Sequence, residues 1–208
     1  MTVSFKRLTL ATAAVALLGG ALSGCAPLLI GGAAGTALVA SDRRSAGIQL
    51  EDESIELRAK SAIRDQMGTR VRVDVISYNR QTLLTGDVGN AQDKQAVERL
   101  VARVDNVKSV VNELVVQSTP SLWDRSNDLL TTGRVKAAFI DANVQVNAVK
   151  VTTERGVVYL FGRVTQPEAD RATEAARSIS SVRRVVRIFE VISAEDLKRL
   201  QLSFSGKS

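Results

Sequence analysis

Residues 121–192 of this 208-residue chain repeat residues 51–118. Lys60-Ser61-Ala62-Ile63 returns as Lys136-Ala137-Ala138-Phe139, and Val73-Asp74-Val75 as Val149-Lys150-Val151. At the same offset, Leu84-Thr85-Gly86-Asp87-Val88 returns as Leu160-Phe161-Gly162-Arg163-Val164. Val107-Lys108-Ser109-Val110-Val111 returns as Val182-Arg183-Arg184-Val185-Val186, one residue short of that offset. Apolar positions held at a fixed period, with a single one-residue gap, mean one small unit built twice.

Each copy reads helix, strand, strand, helix, strand. Ile55, Ala59, Ala62 and Ile63 share one helical face. Val71, Val73 and Val75 alternate with Arg70, Arg72 and Asp74, as in a half-buried strand. A turn at Tyr78-Asn79-Arg80 leads to a second strand ending near Val88. Val97, Leu100, Val101 and Val104 follow at helical spacing behind Asn90 as a cap, and a last strand covers about 108–117. In the second copy the first helix runs from after Pro120 to about Phe139, and the hairpin turns near Glu154-Arg155-Gly156. Thr165 and Glu168 form a capping-box pattern before an inner stripe of Ala169, Ala172, Ala176 and Ile179. The expected fold is α+β. Two tandem three-stranded sheets carry two helices each, over residues 51–118 and 121–192, and 193–208 form a C-terminal helix and tail.

The N-terminal residues read differently. Lys6 and Arg7 precede a long uncharged run, and the chain's only cysteine, Cys25, follows Leu22-Ser23-Gly24. One cysteine excludes an internal disulfide. A thiol buried in an uncleaved membrane helix is one reading of Cys25, but Gly19-Gly20, Pro27 and Gly31-Gly32 break the run repeatedly. The other is a secretory signal over 1–24. Leu22-Ser23-Gly24-Cys25 resembles the bacterial lipobox. That resemblance implies cleavage between Gly24 and Cys25, diacylglycerol on the Cys25 sulfur and an acyl group, such as palmitate, on its new N-terminus. Several chains on one residue anchor stably where one would be marginal. Ala26 in place of Asp implies the outer membrane, with the domains facing the periplasm. Residues 25–50 then form a Gly/Ala-rich tether, either disordered or lying against the bilayer.

The two copies resemble the BON domain. The likeness rests on Gly86/Val88 and Gly162/Val164 and on Val107, Val110 and Asn112; Arg187 stands where the second copy would have its asparagine. The whole chain resembles dual-BON-domain outer-membrane lipoproteins. That family is associated with envelope integrity, and its domains with phospholipid or envelope partners.

Composition narrows the chemistry. There is no histidine, so the side chain that titrates near neutrality and the commonest metal ligand are both missing. No G-x-S-x-G elbow and no Gly-rich phosphate loop is present. Carboxylates show no match between the copies: Asp87, replaced by Arg163, reads as a solvated strand position. Gly86 and Gly162, inside strands, read as room for a helix to pack rather than as ligand sites. We therefore expect no enzyme, cofactor or metal site. The net charge of +6 suits an anionic partner, but a signal peptide and 4% aromatic content argue against nucleic acid.

The copies diverge where function is sought. The first carries a slight acidic excess and the second a basic one. In the second copy Leu129, Leu130, Gly133, Arg134, Lys136 and Ala137 place apolar groups beside cations, as a helix lying in an anionic lipid interface requires. Trp123, just upstream, is a further interface anchor or a cap on the fold. Val157, Tyr159 and Phe161 give its central strand a second apolar face, and Arg183, Arg184 and Arg187 lie on or beside its last strand. Two functions follow as expectations. One is binding of anionic phospholipid, mainly by the second domain, in support of envelope integrity. The alternative is an adaptor docking envelope-assembly or cell-wall-remodelling proteins through Val157, Tyr159, Phe161 and the nearby arginines, or through a sheet edge. Burial of those three against the first copy would remove that surface.

Overall fold

The computed structural model describes residues 42–116 and 122–205, with the side chains of 122–124 and 203–205 left aside. In domain 1, α1 (Ala46–Met67) precedes the hairpin β1 (Val71–Tyr78) and β2 (Gln81–Val88). Helix α2 (Ala91–Ala102) then crosses over to β3 (Ser109–Asn112) and β4 (Val115–Val116). Domain 2 repeats the order with α3 (Leu122–Asp141), β5 (Lys150–Glu154), β6 (Val157–Val164), α4 (Gln166–Arg177) and β7 (Arg184–Val191), and α5 (Ala194–Ser205) follows. In each sheet the central strand pairs antiparallel with the first strand and parallel with the last. The parallel pairing is possible because a helix bridges the two strands. The fold is the expected α+β pair, although α1 begins at Ala46, inside the stretch assigned to the tether.

The hairpins close on two residues with positive φ: Asn79 (50°) and Arg80 (64°), then Arg155 (53°) and Gly156 (71°). Such turns match the twist of the strands they join. Each is held from the first helix of its own domain. Asp52 accepts the Asn79 and Arg80 backbone N–H groups at 2.8 and 2.7 Å. Asp128 accepts those of Arg155 and Gly156 at 2.6 and 2.7 Å. The repeat thus does contain matched carboxylates, contrary to expectation, and they satisfy turn amides.

Glycine acts differently from its expected role as well. A Cβ on Gly86, at φ +116°, would sit 2.1 Å from the Arg72 carbonyl oxygen, and one on Gly162 would sit 2.6 Å from that of Ala148. The close neighbour is the backbone beside the central strand, not a helix. The last strand of domain 1 is interrupted after Asn112, whose amide bonds the Lys94 carbonyl at 3.1 Å and Glu98 at 2.9 Å. Arg187, its counterpart, reaches Asp170 on α4 instead, and β7 runs on unbroken.

β2 and β6 are buried on both faces. One face of each meets helices: Leu84 lies with Ala59, Ile63 and Val97, and Leu160 with Val135, Phe139 and Ala172. The other faces meet each other. Tyr78 and Leu83 pack with Tyr159, Phe161 and Ile188 in one apolar cluster. The order of layers is helices, sheet, sheet, helices, and neither domain has a free sheet face at this seam.

Candidate functional site

The seam settles two groups of residues first. Tyr159 and Phe161 are buried, Phe161 at 0% exposure, and Val157 packs beside them. The docking surface expected at Val157, Tyr159 and Phe161 is already occupied by domain 1. An apolar sheet face costs too much to leave in water, and the other repeat supplies the cover.

Polar locks close the seam at its edges. Asp87, 5% exposed, is paired with Arg72 and with Arg155 of the domain 2 hairpin. It is a buried interdomain carboxylate, not the solvated residue its strand position suggested. At the equivalent place Arg163 pairs with Glu190 at 3.3 Å, and Glu190 accepts from Asn79 of the domain 1 hairpin. Arg184 pairs with Glu113 of domain 1, and Arg187 with Asp170. Arg183 lays its aliphatic stem against Gly156. Arg183, Arg184 and Arg187 nevertheless stay exposed.

What stays open is the outer face of α3. Asp128, Thr131, Val135 and Phe139 turn inward and are buried. Leu129, Leu130, Gly133, Arg134, Lys136 and Ala137 are all exposed. The structure adds Ile140 to them. Leu129, Gly133, Lys136 and Ile140 stand at i, i+4, i+7 and i+11, one row along the helix. Leu129 is 75% and Ile140 68% exposed. The row is about 16 Å long at the α-helical rise. Among the described residues neither Arg134 nor Lys136 has a salt-bridge partner. Ile140 escaped the sequence reading because it follows the inward Phe139 at the expected helix end; its spacing from Leu129 was the available signal.

Comparison with α1 isolates this face. Glu53, Ser54 and Arg64 occupy the positions of Leu129, Leu130 and Ile140. Leu57, at the position of Gly133, is exposed together with Leu50 two turns earlier on α1. Gly24, Cys25 and the Trp123 side chain lie outside what is described. No helix among the described residues is long and apolar enough to cross a membrane.

The BON domain model matches residues 51–118 and again 127–193. The chain belongs to the BON-domain family. It is 38% identical over 174 residues to outer membrane lipoprotein DolP of Haemophilus influenzae, covering 82% of this chain and 90% of that one. It is 30% identical to a 21 kDa hemolysin of Actinobacillus pleuropneumoniae, covering 73% and 79%. Osmotically-inducible protein Y of Escherichia coli is 28% identical over 71% of this chain and 76% of its own length. None of the three bears an enzyme's name. The protein is a dual-BON protein of the outer membrane, as the sequence led us to expect.

Proposed function

We propose that this protein is held by acyl chains on Cys25 after cleavage behind Gly24, and binds anionic phospholipid through the outer face of α3. The observation that carries the reading is the unpartnered row Leu129, Gly133, Lys136 and Ile140, flanked by Leu130, Arg134 and Ala137. Apolar side chains enter the headgroup boundary while the two cations meet lipid phosphate. Each cation near an anionic surface contributes about 1 kcal/mol, so Arg134 and Lys136 add about 2 kcal/mol to the burial of the apolar row. An envelope-supporting role follows from that placement. The adaptor alternative loses the apolar part of its surface, which domain 1 covers, and keeps the exposed arginines and a sheet edge.

The test uses residues 26–208, because an isolated domain 2 would expose its seam face. This body should bind phosphatidylglycerol vesicles, more weakly in high salt. Leu129→Ser with Ile140→Ser should abolish binding and leave the fold intact. Equal binding to neutral phosphatidylcholine vesicles would rule the reading out.

A further inference from the structure

The sheets end in edge strands, and the fold treats those edges unequally. β1 is blocked near its end, where Glu56 of α1 accepts the Ser77 backbone N–H at 2.9 Å. β3 and β4 are broken at Asn112, whose side-chain oxygen accepts the Leu114 N–H at 3.2 Å. β5 is five residues long. β7 runs for eight residues and pairs with β6 alone. Its register sets Val191 beside Val164, and the Ile192 N–H bonds the Val164 carbonyl at 2.9 Å. In a parallel ladder the backbone groups of alternate residues point to the same side. Arg184, Val186 and Ile188 therefore bond β6, while the N–H and C=O groups of Val185, Arg187 and Phe189 point away from it. Among the described residues these outward groups have no hydrogen-bond partner.

An open edge is a template for a further strand, and proteins shorten, break or charge their edges against unwanted pairing. Domain 1 breaks the equivalent edge. In domain 2, Arg183, Arg184 and Arg187 replace Lys108, Ser109 and Asn112, so this edge is longer and more basic. Arg183 is exposed and has no salt-bridge partner among the described residues. The side chains of Arg184 and Arg187, although paired, stay half exposed. A second copy would set these arginines against their own equivalents, with Glu190 the only carboxylate on the strand. Like charges across a strand pair are destabilising and opposite charges stabilising. Arg184 and Arg187 lie on opposite faces of β7, so an incoming strand with acidic residues three apart would meet both.

We propose that β7 accepts a further strand from a partner protein: an extended acidic segment that bonds the backbone of Val185, Arg187 and Phe189 and sets carboxylates opposite Arg184 and Arg187. Main-chain bonds supply the affinity of such an added strand, and its alternate side chains the specificity. The proposal develops the adaptor alternative and does not depend on the lipid reading of α3. The test uses residues 26–208 and a synthetic peptide of about eight residues, in which valine and threonine alternate and glutamates stand three positions apart. The same peptide with lysines for glutamates is the control. At about 1 mM acidic peptide, amide hydrogen exchange at Val185, Arg187 and Phe189 should slow roughly tenfold, as a Kd near 0.1 mM gives. Exchange at Arg184, Val186 and Ile188 should not change, because their N–H groups already bond β6. Arg187→Pro removes an outward N–H without touching the β6 ladder and should abolish the slowing. Arg183→Glu with Arg187→Glu keeps every backbone donor and should reduce the slowing to that of the lysine peptide; it serves even where Arg187→Pro fails to fold. No slowing with the acidic peptide, equal slowing with the lysine peptide, or undiminished slowing in either folded variant overturns the proposal. So does slowing at the same amides without peptide that grows with protein concentration, which would make the occupant a second copy.

Discussion

Phe161→Ala separates a structural seam from a docking surface. Phe161 is fully buried, and its ring centroid lies 6.1 Å from that of Tyr78 across the two domains. Truncating a buried Phe removes its transfer free energy and leaves a cavity, for about 4 kcal/mol in total. Two packed sheets cannot close that cavity without moving the polar locks at Asp87 and Glu190. In a body of this size each kcal/mol shifts Tm by about 3 °C, so Tm should fall by about 12 °C. Calorimetry of residues 26–208 reads this directly. Hydrogen exchange should show the loss at Tyr78 and Leu83 in the partner domain as well as beside residue 161. Leu129→Ala is the control. It removes a solvent-facing side chain and should stay within about 0.5 kcal/mol of the native protein. A docking residue would show the opposite pattern, with lost partner binding and unchanged Tm. Phe161→Ala melting within about 2 °C of the native protein would refute the seam.

Three further outcomes follow from single interactions. Asp128→Ala strands the amides of Arg155 and Gly156 and should cost about 2 kcal/mol in urea unfolding. Gly86→Ala places a methyl group against the Arg72 carbonyl at a φ of +116° that L residues avoid; the chain should be insoluble or lose more than about 3 kcal/mol. The Arg43 guanidinium holds the Glu168 carboxyl down to about 2, below its ordinary 4.5. A depressed carboxylate stabilises the fold above its unfolded value and loses that contribution as pH falls toward its folded one. The Tm gap between the native chain and Arg43→Ala should therefore be widest above pH 4.5 and close between 4.5 and about 2.

The two copies agree where the backbone requires it and differ for two separate reasons. Helical and strand periods were legible because each buried residue answers to neighbours within its own copy, as Leu84 does with Ala59. Asp52 and Asp128 also agree, yet were passed over, because their partners are turn amides and a search for paired reacting groups does not reach them. The seam was half legible. Tyr159 and Phe161 advertised an apolar face, whereas the facing strand reads Gln81, Leu83, Thr85 and hides its burial behind polar side chains. The link from Arg43 to domain 2 was not legible at all. Arg43 finds its acceptors more than 100 residues away, and no local pattern separates it from any other tether arginine. Divergence between copies is therefore not by itself a mark of function. Asp87 and Arg163 have opposite charges, yet both serve the seam: Asp87 pairs with Arg155 across it, and Arg163 holds Glu190, which accepts from Asn79 across it. Glu53 against Leu129, Ser54 against Leu130 and Arg64 against Ile140 are differences of another kind. In domain 2 they lie outside the seam, in the outer layer, and no contact within the described fold accounts for them. An apolar row that the fold does not use is the part of the repeat's divergence that the proposed lipid contact would account for.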